Sequence, residues 1–164
     1  MADITMIEIG QKIANITLKT MGESGPQAYE TLTNFTNKKV VLFAVPGAFT
    51  PTCSAAHLPG FVVHYDEIIA AGVDIVACIS VNDVFVMDAW GKSSNAENIT
   101  MLADGNGLFT QAVGLELDAT GFDMGARSKR YAMIIDNGVV THLSVDSAGL
   151  ENSSAEAVLK ILSK

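Results

Sequence analysis

Apolar and polar positions along the chain fall into short runs whose period switches between two and about 3.6, as alternating strands and helices require. The pattern is weakest up to Asn37, which reads as irregular: "KIANITLKT" (12–20) alternates enough for a short strand or hairpin arm, and "MGESGPQAYE" (21–30) reads as loop. "KKVVLFAV" (38–45) is nearly continuous, apolar and β-branched, which predicts a strand buried on both faces and ended by Pro46. Over 54–72, Leu58, Phe61, Val62, Tyr65, Ile68 and Ile69 recur at spacings of three and four, so a helix is expected that stops at Gly72. Pro59 and Gly60 inside it predict a kink or local widening about two turns in. "VDIVACISV" (73–81) is a second buried strand. "NDVFVMDAWGKS" (82–93) opens with a helix-start signal at Asn82 or Asp83 and carries apolar residues at 84, 85, 87 and 90.

The alternation continues with a short strand at "ITMLAD" (99–104), the turn "DGNG" and a short helix at "LFTQAVGL" (108–115). "SKRYAMIIDNGVVTHLSV" (128–145) is a hairpin, because "DNG" separates two apolar, β-rich runs. In the final helix, "SSAEAVLKILSK" (153–164), Ser153 and Glu156 resemble a capping box. This order predicts an α/β sandwich, a central mixed sheet flanked by helices, in one domain spanning 1–164. No repeat or low-complexity linker divides it.

Composition narrows the possible functions. Ten basic against 18 acidic residues give a net charge of −8, which opposes binding to nucleic acid. The longest apolar stretch is about ten residues, far short of the roughly 20 that cross a bilayer, so no membrane association is expected. "MADITMIEIG" has neither a signal-peptide pattern nor an Arg-rich transit pattern, which makes the cytoplasm the default compartment. Two cysteines are too few for a disulfide framework, and they form neither CxxC nor a zinc-spaced cluster. No metal or other cofactor is expected.

One of those cysteines is placed as a reactive group would be. Cys53 follows a strand, in a loop stiffened by Pro46 and Pro51, where the 54–72 helix begins. Unpartnered N–H groups and the positive end of the helix dipole favour a thiolate there. Thr50 is close enough in sequence to turn its hydroxyl to the sulfur, to donate to it or to pass a proton to a substrate oxygen. Simple packing is the alternative, since free cysteine is among the most buried residue types.

The stretch "PGAFTPTCS" (46–54) resembles the active-site signature of the peroxiredoxins, whose proline, threonine and cysteine correspond to Pro46, Thr50 and Cys53. The likeness is to the type-5 subfamily. "HLPGFV", "GVDIVACISVNDVFVMDAWG", "ADGNG" and "GARSKRYAMIIDNG" carry it in order over about residues 38 to 145, with a weaker tail to 164. The resemblance implies a thioredoxin-like fold and a thiol peroxidase acting on hydrogen peroxide and alkyl hydroperoxides. By the family pattern Cys53 is oxidised to a sulfenic acid, Thr50 orients the peroxide and Pro46 shields the thiolate. It also implies an arginine from a distant strand: Arg130, before Tyr131, is favoured over its rival Arg127.

Cys78, amid apolar residues of the 73–81 strand, is read as structural. Some type-5 members carry a resolving cysteine near the C-terminus; here Ser144, Ser147, Ser153 and Ser154 stand in that region. A one-cysteine mechanism is therefore expected, with glutathione and glutaredoxin as the external reductant and thioredoxin second. A homodimer is implied as well, with the Pro-rich loop and the 82–93 region at the contact. His57, His64 and His142 are too scattered for a metal site and read as ordinary helix or strand residues, although His57 lies one turn beyond Cys53 and so could influence the thiolate. Trp90 and Phe85 read as core. A redox sensor or relay using the same cysteine, and a binding module with an inert thiol, are the competing functions.

Overall fold

A computed structural model describes residues 6–147 and 149–164. Residues 1–5, the start of the lead read as irregular, lie outside the described residues. The 21–30 stretch, expected as loop, instead completes a hairpin: β1 (Thr17–Gly22) pairs antiparallel with β2 (Gly25–Glu30). β2 lies at a sheet edge, mostly exposed, so it needs no apolar alternation and tolerates Pro26. A short helix, α1 (Thr31–Phe35), follows it, too brief to impose a period.

The centre of the sheet is β3 (Lys39–Ala44), parallel to β4 (Ile75–Ser80), which is in turn parallel to β5 (Thr100–Ala103). On its other side β3 runs antiparallel to β8 (Arg130–Asp136), which forms a hairpin with β9 (Val139–Asp146). Among the described residues the order across the sheet is β2-β1-β5-β4-β3-β8-β9, a mixed sheet of seven strands. The β8–β9 turn uses Asn137 and Gly138, both at positive φ, as the "DNG" signal required. A separate small ladder joins β6 (Glu116–Asp118) to β7 (Ala126–Ser128); its three-residue strands are too short for a readable alternation.

Helices cover both faces because alternate residues of the central strands are apolar in both directions. From β3, Val41 and Phe43 enter one core with Cys53, Phe61, Ile68, Trp90 and Val158; Val40, Leu42 and Ala44 enter the other with Phe35 and Phe109. Phe43 stacks on Phe61 at 3.9 Å between ring centroids, a pairing worth about 0.5–1.5 kcal/mol beyond its burial. α5 (Leu108–Ala112) lies in the element order after β5, as expected from the 108–115 period.

The helix expected over 54–72 is present in pieces. It begins at Pro51, passes through a wide π-helical turn at Cys53–His57, and continues as α2 (Leu58–Val63) and α3 (Tyr65–Ala70), parted at His64. The widening thus precedes Pro59. Pro59 has no N–H to return to Ala55, so the α-helical register is already broken there, and Leu58 N–H donates instead to the Cys53 carbonyl.

α4 (Val84–Ser93) is capped by Asp83, whose carboxylate accepts from Val86 N–H. It buries Val84, Met87, Trp90 and Gly91, but Phe85, read as core, is 65% exposed: it sits off the stripe those positions define. The cap of α6 (Ala155–Leu162) is Ser154, which accepts from Ala157 N–H; Ser153, expected in that role, is buried and donates to Asp146. Among the described residues no helix is long and apolar enough to cross a membrane.

Candidate active site

Strand register brings the site together. Ala44, the last residue of β3, pairs with Tyr131, so Arg130 lies beside the end of β3 where the Cys53 loop departs. Alternation along β8 sends Ala132 and Ile134 into the core that holds Cys53, and Arg130 shares their parity. Arg127, on β7, falls outside this register. Its Nε donates to Met124 O at 2.9 Å and Nη1 to Val81 O at 3.1 Å, so it ties the 124 loop to the end of β4.

Cys53 sits in the first turn of its helix, fully buried. Arg130 Nη2 donates to its Sγ at 3.1 Å, and Nη1 donates to His57 Nδ1 at 2.8 Å. Arg130 is itself only 8% exposed, and among the described residues no carboxylate pairs with it as a salt bridge. A buried cation without a counter-ion is destabilised by several kcal/mol, so the guanidinium depends on the acceptors it meets at Sγ and at His57 Nδ1. His57 completes the cluster by donating from Nε2 to Ser153 O at 2.9 Å. Its pKa is held down from 6.5 to about 4, chiefly by burial; the Ser153 bond and the Asp146 charge oppose this, and the Arg130 charge adds to it.

The loop before Cys53 is pinned at several points. Thr50 Oγ1 donates to Gly47 O at 2.6 Å, so its proton is committed to the loop and its lone pairs remain to accept. The hydroxyl proton thus goes to Gly47 O, and neither to the sulfur nor to a position free for a substrate oxygen, the two roles the sequence left open. Pro46, half-buried, opens the loop directly after the strand. Asn82 Oδ1 accepts from Ala48 N–H, and Trp90 Nε1 donates to Ser54 Oγ at 3.0 Å, clamping loop and helix start to α4 and the residue before its cap. Phe49 carries a positive φ of 63°, an unfavourable conformation for a bulky residue, of the sort stored at functional sites.

Trp90 lies in the core, as its sequence position suggests; His57 reads from sequence as an ordinary helix residue with, at most, an influence on the thiolate, and not as a partner of Arg130. The signal available was its spacing from Cys53, one turn on, which puts both side chains on one buried face. Cys78 is buried in β4, and burial, with the nearby Cys53, pushes its thiol well up, away from the ionised form. Among the described residues no three His, Cys, Asp or Glu side chains converge as metal ligands do.

Comparison with known proteins gives a consistent set of relatives. Residues 8–159 match the Redoxin family model. The chain is 47% identical over 162 residues to Peroxiredoxin-2E, chloroplastic, of Arabidopsis thaliana, covering 95% of this chain and 69% of that protein. Reduced Prx3 from Vibrio vulnificus in complex with h2o2 superposes with a TM-score of 0.93 at 56% identity, over 96% of this chain and 99% of that one. Peroxiredoxin 5 from Alvinella pompejana is more distant, with a TM-score of 0.84 at 35% identity over 96% and 98% of the two chains.

Proposed function

The chain belongs to the peroxiredoxin family, with its thioredoxin-like α/β fold and thiol peroxidase activity, and from that premise we propose that Cys53 is the peroxidatic cysteine. One observation carries the assignment: the buried Arg130 guanidinium, which no carboxylate pairs among the described residues, lies 3.1 Å from Sγ. The hydrogen peroxide complex of the similar Vibrio vulnificus protein supports peroxide as the substrate.

The thiolate attacks one oxygen of the hydroperoxide. An S–O bond forms as the O–O bond breaks, and the second oxygen leaves with the electron pair, takes a proton and departs as water or an alcohol. Cys53 is left as sulfenic acid. Thr50 Oγ1, its own proton spent on Gly47, accepts the substrate O–H, while Arg130 and the Cys53 backbone N–H donate to the oxygens as charge develops. Pro46 screens the sulfur from water, in keeping with the full burial of Cys53.

Regeneration follows a one-cysteine, type-5 course. Cys78, the other thiol, is locked in β4, so an external thiol displaces water from the sulfenic acid and a second thiol releases Cys53 from the mixed disulfide. Glutathione with glutaredoxin is the preferred reductant and thioredoxin the second. Residues 1–164 form one domain that pairs as a homodimer; Phe49, packed against Trp90, and Phe85 on the same helix offer an exposed apolar surface for it. The cytoplasm is the compartment proposed; two relatives are named chloroplastic.

Peroxide consumption by the purified protein, first with glutathione and glutaredoxin and then with thioredoxin and its reductase, tests this reading. Sustained turnover with the first pair, abolished in Cys53→Ser, is expected. Oxidation without recycling by either system favours a redox relay, and peroxide loss that survives Cys53→Ser removes the proposal.

A further inference from the structure

We propose that His57 is a positioning residue of the peroxidase site: its neutral imidazole, protonated on Nε2, holds the Arg130 guanidinium with Nη2 facing the Cys53 sulfur. The inference rests on the reading of Cys53 just given and adds a group that neither touches substrate nor belongs to the proline–threonine–cysteine signature.

The two partners of the ring decide its proton. A guanidinium has only donors, so Nδ1, 2.8 Å from Arg130 Nη1, accepts. A carbonyl oxygen only accepts, so Nε2, 2.9 Å from Ser153 O, donates. The neutral Nε2–H form alone satisfies both contacts. Burial to 1% exposure also opposes a charged ring.

The ring is held as firmly as the groups it holds. Phe43 and Phe61 pack against it, with centroids 5.0 and 5.7 Å away. The Ser153 carbonyl is fixed because the Asp146 carboxylate accepts from the N–H groups of Glu151, Asn152 and Ser153 and from the Ser153 hydroxyl. Asp146 is the ladder partner of Arg130 on β9. The contacts therefore close a circuit: β8 carries Arg130, β9 carries Asp146, the following loop presents Ser153, and His57 joins that loop back to Arg130. Without the Nδ1 acceptor, Nη1 loses its partner and the plane of the guanidinium is no longer set against the sulfur.

Two isosteric variants separate this role from packing. His57→Asn keeps an acceptor near the Nδ1 position, and His57→Gln keeps a donor that reaches Ser153 but loses that acceptor. The second-order rate of Cys53 oxidation by hydrogen peroxide is measured in both, alone and combined with Arg130→Ala, with thermal unfolding alongside. His57→Gln is expected to slow oxidation by roughly tenfold to a hundredfold, His57→Asn distinctly less, and neither to slow it further once Arg130 is gone. Equal losses in the two variants, an unchanged rate in His57→Gln, or full additivity with Arg130→Ala overturns the inference. Should the variants not fold, ring-nitrogen chemical shifts of His57 in the wild-type protein serve instead: a neutral Nε2–H ring supports the proposal, and a charged or Nδ1–H ring overturns it. A Cys53→Ser protein that still consumes peroxide would sink the reading of Cys53 itself, which separates that failure from a failure of His57 alone.

Discussion

Arg130, the first residue of β8, and Cys53, in the first helical turn after β3, meet at 3.1 Å although 77 residues separate them. The contact follows from sheet register, since Ala44 pairs with Tyr131 and leaves Arg130 beside the end of β3. Among the described residues no carboxylate pairs with this buried cation, so Sγ and His57 Nδ1 are the side-chain acceptors that hold it.

Arg130→Lys keeps the charge but loses the planar fork that reaches Sγ and His57 Nδ1 together. Peroxide oxidation of Cys53 is expected to slow by roughly a hundredfold, with Arg130→Ala slower still. Stopped-flow kinetics under single turnover read this directly. A Lys variant as fast as the wild type would show that charge alone suffices.

At Thr50 the hydroxyl is expected to matter more than the methyl. Thr50→Ser keeps the bond to Gly47 O and its free lone pairs, so its kcat/KM for hydrogen peroxide should stay near the wild-type value. Thr50→Val removes both, with a loss of roughly tenfold to a hundredfold in kcat/KM and about 1 kcal/mol in stability. Equal kinetics in the two variants would contradict an acceptor role for Thr50.

Gly47 is a position where activity and stability should part. A Cβ there would lie 2.8 Å from Met124 Cε and 3.0 Å from Thr50 Cγ2. The methionine end can move aside; Thr50 can yield only by shifting its loop. Gly47→Ala should therefore unfold within a few degrees of the wild type, a change on the order of 1 kcal/mol, while peroxidase activity falls by roughly tenfold or more. A variant with undiminished activity would mean that the loop tolerates the shift.

Acid should loosen the fold through His57. Its folded pKa, about 4, lies below the unfolded value of 6.5, so the unfolded chain binds the extra proton. The stability this contributes is complete above pH 6.5 and is lost as pH falls towards 4, on the order of 3 kcal/mol over that window. Asp146 acts in the same sense at lower pH. Burial raises its pKa, but its bonds from residues 151–153 outweigh this and hold it down, so its contribution fades as pH falls through the folded value. His64 works oppositely: its pair with Glu67 raises its pKa, and that contribution is lost as pH rises, but the exposed contact makes it small. Urea midpoints across this range should decline with acid in the wild type and decline less in His57→Asn. Parallel curves would remove His57 as the cause.

Legibility in the sequence followed burial. β3, β4 and β8 were readable because both of their faces are apolar, and the Asn137–Gly138 turn because its positive φ values select those residues. β2 was missed because a wet edge strand needs no alternation, and α1 because five residues impose no period. Pro46, Thr50 and Cys53 stood out as a local signature. The favoured Arg130 came from likeness to a family, and strand register now gives the physical reason it, and not Arg127, reaches the sulfur. His57 was undervalued because its role depends on Ser153 O and Arg130, contacts 96 and 73 residues away that no local spacing encodes.

The most direct test treats reduced protein with less than one equivalent of hydrogen peroxide, traps sulfenic acid with dimedone and locates the adduct by peptide mass spectrometry. The account predicts an adduct on Cys53, none on Cys78, and undiminished peroxide consumption in Cys78→Ser. An adduct on Cys78, or Cys53 left unmodified while peroxide disappears, would contradict it.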